Sequence, residues 1–316
     1  MLYKILLLPA RLFIHFYCRK IIIRNKSMLR KRGPLVIAAN HPNSFLDAII
    51  LATLFKNPVF SLARGDAFAG KIITKILTGF NMLPVYRVSE GVENLENNYA
   101  TFEACQDIFK KNGIILIFSE GRCINEWHLR PLKKGTARLA MAAWQQNIAL
   151  EVLPLGINYS NFRKFGKTLF LNFGTMITKE HITADLSNAK FINEFNEQLK
   201  QQLQGLVFEI AITDKEKCRK YFYMHQSLVE RILLFIPAVA GYIIHFPLYY
   251  PIHLSIKNKA KDHYDSIMIG LLFFVYPVYL IIFTLIIFFI THNAISFLLL
   301  ALMPVSALSL LHFRRD

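Results

Sequence analysis

The sequence predicts an α/β domain with a mixed central sheet and flanking helices, preceded by an interfacial helix and followed by membrane helices. Three observations carry this. From residue 20 to about residue 175, short β-branched runs alternate with longer helical patterns, as in a partly parallel sheet covered by helices. From Arg231 onward the chain turns into long apolar runs. Hydrophobic residues make up 54% of the 316 residues and the mean hydropathy is +0.34, which is too apolar for an ordinary soluble domain.

Met1–Phe16 opens the chain. It is apolar but interrupted by Lys4, Pro9, Arg11 and His15, and it lacks a small-residue cleavage signature. An interfacial helix with Lys4 and Arg11 at the head groups is therefore expected, not a cleaved signal. The predicted strands are Ile21–Arg24, Leu35–Ala39, Val59–Leu62, Leu83–Tyr86, Gly113–Phe118, Val152–Ile157 and Thr168–Phe173. Between them the predicted helices are Leu46–Leu54, Lys71–Thr78, Asn94–Lys110 and Thr136–Gln146. Residues 186–220 read as one polar, Gln-rich helix leading out of the domain.

Ile267–Ile290 is a 24-residue run without charge, and Ala294–Leu311 adds 18 residues after the short link Thr291-His292-Asn293. Both are long enough to cross a bilayer. Ile232–Leu254 is also apolar, but Gly241, His245, Pro247, Pro251 and His253 break it. Lys215, Lys217, Arg219, Lys220 and Arg231 precede it, and Lys257, Lys259 and Lys261 follow. A crossing there would put one basic group outside, against the bias for cytoplasmic Lys and Arg. A re-entrant or interfacial segment is expected instead. The division is then 1–19 as interface helix, 20–222 as α/β domain on the cytoplasmic face (the inner membrane, if bacterial), and 223–316 as membrane region.

The formal net charge is +16, which suits anionic lipid or anionic substrates. Nucleic acid is not an expected partner, because the apolar tail points to a bilayer and no reader motif occurs. Cys18, Cys105, Cys123 and Cys218 form no C-x-x-C pair and read as reduced thiols. The ten histidines show no metal-ligand spacing, so neither metal nor cofactor is expected.

Ala39-Asn40-His41-Pro42-Asn43-Ser44-Phe45-Leu46-Asp47 follows an apolar strand. An imidazole that takes a proton from an alcohol, and a carboxylate that holds its tautomer, are the needs of acyl transfer. Pro42 disfavours the helical region for His41. His41 therefore belongs to a turn and Asp47 to the first turn of the next helix, where the two can meet and the helix N-terminus favours the carboxylate. A solvated turn with an N-terminal helix Asp is the alternative for the pair taken alone. After Ile114–Phe118 come Ser119-Glu120-Gly121-Arg122-Cys123 and then Pro131-Leu132-Lys133-Lys134-Gly135. A Glu among cations can hold a polyol phosphate, the Glu taking hydroxyls and the cations the anion. Leu83-Pro84-Val85-Tyr86-Arg87 places an Arg at another strand end, and Val152–Ile157 reads as a buried strand.

In this order and spacing the four blocks resemble the glycerolipid acyltransferase family over about residues 20–180. The resemblance implies that His41 is the general base and that Asp47 orients it. It implies that Arg87 contacts the acceptor phosphate, that Glu120 and Gly121 hold the glycerol moiety, and that Pro154 lies in an apolar motif on the acyl side. Arg122, Lys133 and Lys134 would complete the phosphate clamp. The backbone amides near Asn43 and Ser44 are the candidate oxyanion donors. Five residues separate His41 from Asp47 where four are usual, and Ser119 replaces a Pro. The longer spacing, the Pro131–Gly135 stretch and the apolar C-terminus resemble the branch that includes yeast-type glycerol-3-phosphate acyltransferases and bacterial relatives.

The implied activity is transfer of a fatty acyl group to a hydroxyl of lysophosphatidic acid or glycerol 3-phosphate in phospholipid biosynthesis. Acyl-CoA or acyl-carrier protein would be the thioester co-substrate, and the bilayer the other partner. Two alternatives stay open: an amino-acid-based or other hydroxylated lipid as acceptor, and a non-catalytic membrane-shaping protein on the same fold. Oligomeric state, chain length and sn position are not legible.

Overall fold

The computed structural model describes residues 2–86, 97–185, 189–223, 226–258 and 261–313. The chain begins with α1 (Leu2–Tyr17), β1 (Cys18–Arg24), β2 (Leu35–Ala39), α2 (Phe45–Leu54), β3 (Val59–Arg64), α3 (Lys71–Gly79) and β4 (Met82–Val85). It continues with α4 (Asn97–Lys110), β5 (Ile114–Phe118), α5 (Gly135–Gln145), β6 (Glu151–Tyr159), β7 (Lys167–Phe173), α6 (Ala189–Gln204) and α7 (Lys215–Phe222). It ends with α8 (Leu228–Ile256), α9 (Tyr264–Thr291) and α10 (Leu299–Phe313). One seven-stranded sheet has the order β1-β7-β6-β2-β5-β3-β4. The pairs β2–β5, β2–β6, β3–β5 and β3–β4 are parallel.

Every residue of β2 is buried, as expected of a strand covered on both faces. Val36, Ala38, Ile115 and Val152 face a core built with Phe109 of α4, Ala140 and Trp144 of α5, and Phe191, Phe195, Leu199 and Leu203 of α6. The four α6 residues recur every fourth position and form one helical stripe. From β2 the chain crosses toward β3, whereas from β5 it crosses the other way to β6. The carboxyl ends of β2 and β5 thus flank a crevice of the kind in which open α/β sheets place their ligands. Register puts Ala39 level with Phe118 on one side and Leu155 on the other. Just past it, the Asn40 amide brackets Ile157, donating to its carbonyl at 3.0 Å and accepting from its N–H at 2.7 Å.

The expected strands are present with ends shifted by a few residues. The 186–220 stretch departs from expectation: two helices, α6 and α7, replace one, because the apolar stripe stops at Leu203 and Gly205 follows. Arg11 departs too. Its Nε donates to the Thr53 carbonyl at 2.9 Å, one of the last-turn carbonyls of α2 that has no partner within its own helix.

The structure divides into two units, which do not follow the expected domain limits. The first comprises Met1–Arg11, Ile22–Asn158 and Phe170–Thr213, the second Leu12–Ile21, Tyr159–Leu169 and Asp214–Asp316. In the second unit three helical stretches, Leu228–Ile256, Lys261–Thr291 and Ala294–Phe313, are long and apolar enough to cross a membrane. Leu228–Ile256 is one uninterrupted 29-residue helix, without the reversal that a re-entrant segment needs. Its prolines do not end it, and the Tyr279 hydroxyl donates to the Ile244 carbonyl at 2.6 Å. Gly241 lets α10 approach: a Cβ there would clash with the Ser306 carbonyl oxygen. Lys167 and Asp265 form a fully buried ion pair, and the Tyr17 hydroxyl donates to the same carboxylate at 2.8 Å.

Replacing Asn40 by Ala would leave the Ile157 N–H and carbonyl without their partner, at a cost on the order of 2–4 kcal/mol. Both tryptophans, Trp127 and Trp144, lie in the first unit. Their fluorescence should report an unfolding midpoint lower by roughly 5–10 °C in Asn40→Ala.

Candidate active site

β2 ends at Ala39, and the next five residues turn the chain into α2. Ser44 is the N-cap of α2, with φ 53° and ψ −147°, a conformation an L-residue adopts only under constraint. The constraint is visible: the Ser44 amide points at the Cys123 sulfur, 2.9 Å away. Asp47 lies in the first turn of α2 with its side chain fully buried. One of its oxygens, Oδ2, meets His41 Nδ1 at 2.9 Å and accepts from the Asn43 amide at 2.8 Å. The turn and the helix start therefore bring the two residues together across the longer spacing. His41 is 16% exposed at its side chain, and its ring stacks on Phe118 with centroids 3.7 Å apart and planes 10° apart. With Asp47 on Nδ1 and Phe118 against one face, Nε2 is the nitrogen left for a reacting group.

Glu120 occupies an unexpected position. Its carboxylate accepts from the His41 amide at 2.8 Å through one oxygen and from the Arg130 amide at 2.8 Å through the other. Burial pushes its carboxyl above the usual carboxylate range, while those two amides and the His41 charge pull it back. Gly121 follows with φ +63°, where a Cβ would also come within 3.0 Å of the Lys133 stem. Glycine is thus required twice over, for backbone freedom and for the passage of Lys133.

The segment from Ser119 to Lys134 is pinned along its length. Lys133 N–H donates to the Ser119 carbonyl at 2.7 Å, and the Ser119 and Thr136 hydroxyls are 3.0 Å apart. Leu129 N–H reaches Glu209 at 3.0 Å, Ile210 N–H reaches the Trp127 carbonyl at 2.8 Å, and Asn125 reaches the Pro42 carbonyl at 2.7 Å. Arg122, Lys133 and Lys134 stay exposed on this pinned segment. Arg87 lies outside the described residues. Pro154 is buried in β6, opposite Ala38.

The amides of Asn43 and Ser44 are not open oxyanion donors. The first is engaged by Asp47 and the second by Cys123, because the turn needs both to hold its strained shape. Phe118 and Cys123 also belong to the site although the sequence reading assigned them no role. Phe118 could have been found from register, since it is the residue level with Ala39. For Cys123 the only signal was its place in the block that contains Glu120.

A half-buried His backed by a buried Asp at the carboxyl edge of a parallel sheet, with long cationic side chains close in sequence, can deprotonate a hydroxyl beside an anion. Residues 20–158 match the family model described as Acyltransferase. Over this stretch the chain is thus similar to acyltransferase domains. The match covers the His41–Asp47, Glu120-Gly121 and Pro131–Gly135 blocks, and the resemblance drawn from those motifs falls on the same stretch. Among solved structures the chain is similar to the 1-acyl-sn-glycerophosphate (LPA) acyltransferase PlsC from Thermotoga maritima. Identity is 12%, the TM-score is 0.45, and the alignment covers 65% of this chain and 77% of that one. No curated protein matches the chain significantly.

Glu120 binds its proton more tightly in the folded chain than in the unfolded one. Its contribution to stability therefore falls as pH rises from the unfolded-state value, about 4.3, to the folded one. On acidification it protonates earlier than an exposed Glu, and the amide of His41 then loses part of its acceptor. Glu120→Gln presents an NH2 to one of the two amides and should lower turnover on the order of ten- to a hundredfold. A stability–pH profile should show a Glu120 contribution that falls as pH rises above ~4.3 in the parent and is missing from the variant.

Proposed function

We propose that the protein is a membrane-bound glycerolipid O-acyltransferase that moves a fatty acyl group from a thioester to a hydroxyl of a glycerol-phosphate-type acceptor. The observation that carries this reading is the His41–Asp47 pair, 2.9 Å apart at the sheet's carboxyl edge. His41 Nε2 takes the hydroxyl proton as the oxygen attacks the thioester carbonyl carbon. The C–S bond breaks, and the proton returns from the imidazolium to the departing thiolate. Asp47 holds the Nδ1 proton and stabilises the imidazolium in between. Holding both substrates in line contributes the larger share, up to ~7–11 kcal/mol.

Arg122, Lys133, Lys134 and Arg87 are the proposed phosphate clamp. The first three project from the pinned segment beside Glu120, which supports a clamp whose base does not move. Glu120 serves this reading through the backbone: with both oxygens held by amides, it positions His41. The cations before Arg231 and the net charge of +16 support a domain on the cytoplasmic face, against anionic lipid.

His41→Ala in membranes should abolish thioester-dependent acylation while insertion persists. Asp47→Asn should lower turnover by roughly 10²- to 10⁴-fold with the chain still folded. Retained activity in His41→Ala removes the base. Arg87→Ala should raise the apparent KM for the acceptor and leave that for the donor unchanged. Lysophosphatidic acid, glycerol 3-phosphate and hydroxyacyl amino acids, assayed side by side with acyl-CoA and acyl-carrier protein, identify the acceptor. Turnover of the amino-acid lipid alone would replace the glycerol-phosphate reading.

A further inference from the structure

One helix of the first unit buries nothing. α3 is nine residues long and none of them is buried, although a helix shorter than about 12–15 residues is marginal in water without packing. Its residues are nonetheless sorted. At about 100° per residue, Ile72, Ile73, Ile76 and Leu77 fall within an arc of about 140°, and Lys71, Thr74, Lys75 and Thr78 occupy the other side. The apolar side is as open as the polar one: Ile72 is 77% exposed, Ile73 and Ile76 are exposed beside it, and Leu77 is half-buried. Nor is the entry to α3 packed. Gly70 has φ +87°, and a Cβ there would meet nothing within 4 Å.

We propose that α3 is a surface anchor lying in the head-group layer of an anionic bilayer, with the isoleucines toward the acyl chains and Lys71 and Lys75 at the phosphates. Three observations favour a bilayer over a protein partner. The same chain carries three helical stretches of membrane-crossing length, so a bilayer is always within its reach. The face is purely aliphatic, without the Tyr, Trp or Arg that centre protein interfaces. Two lysines flank it on a chain of net charge +16, which matches anionic lipid, and a short helix with a basic flank and an apolar face suits the interface plane. The inference does not depend on the chemistry assigned to His41.

The test uses the full chain in nanodiscs of phosphatidylcholine mixed with phosphatidylglycerol. A fluorophore is attached singly to Ile72→Cys, Ile76→Cys, Lys75→Cys or Thr78→Cys, and the unsubstituted chain, treated alike, gives the background. Nitroxide on lipid chains should quench the labels of the two isoleucine variants several-fold more than the other two, and aqueous iodide should do the reverse. The contrast should shrink in pure phosphatidylcholine, and also when Lys71→Glu and Lys75→Glu accompany Ile72→Cys. Equal quenching at the four positions overturns the proposal. So does shielding that appears only on adding acyl-carrier protein, or only when two copies share a disc.

Discussion

A buried carboxylate keeps its charge only if donors replace the water it has lost, and Glu120 finds those donors in the main chain. One oxygen takes the His41 amide and the other the Arg130 amide. A residue of the loop after β5 thereby holds a residue of the loop after β2, and also the far end of its own segment. Parallel pairing brings the two strand ends level, but pairing stops at the edge of the sheet. Beyond it, geometry has to be set by side chains, and Glu120 sets it for both loops at once.

Asp47 repeats the device from the other side. Its Oδ2 receives the Asn43 amide and faces His41 Nδ1, so the carboxylate that orients the imidazole also shapes the turn that carries it. His41 is then fixed through its amide by Glu120, through its ring nitrogen by Asp47 and through its ring face by Phe118. None of these contacts needs a substrate to form. An imidazole held this way would, in the proposed role of base, spend little of a substrate's binding energy on ordering itself, which is the condition for large proximity effects.

Much of this was legible because local signals and long-range fold agreed. Leu35–Ala39 is apolar throughout and is the central strand. Pro42 kept His41 out of the helix, and the meeting with Asp47 followed from that one restriction. What escaped was long-range. Nothing local to Glu120 says that amides 79 and 10 residues away will take its oxygens, and a Glu between Ser and Gly reads equally well as a substrate ligand. Cys123 reads as a free thiol until Ser44 is seen to aim its amide at it. Composition misled at 186–220, where a polar run hid the break after Leu203, and at 232–254, where Gly241, Pro247 and Pro251 read as breaks in a helix that is continuous.

The two units handle buried charge by different means, and the difference has consequences for what each can become. In the second unit Lys167 and Asp265 satisfy each other, with Tyr17 as a third partner. Such a pair can in principle be exchanged for apolar residues of like volume, because both charges leave together; removing one alone strands the other. Glu120 has no apolar equivalent. Its partners are main-chain amides, which remain whatever residue stands at position 120, and an apolar side chain would leave both buried and unpaired. The requirement for a hydrogen-bond acceptor at position 120 is therefore set by the backbone of the His41 loop and of Arg130.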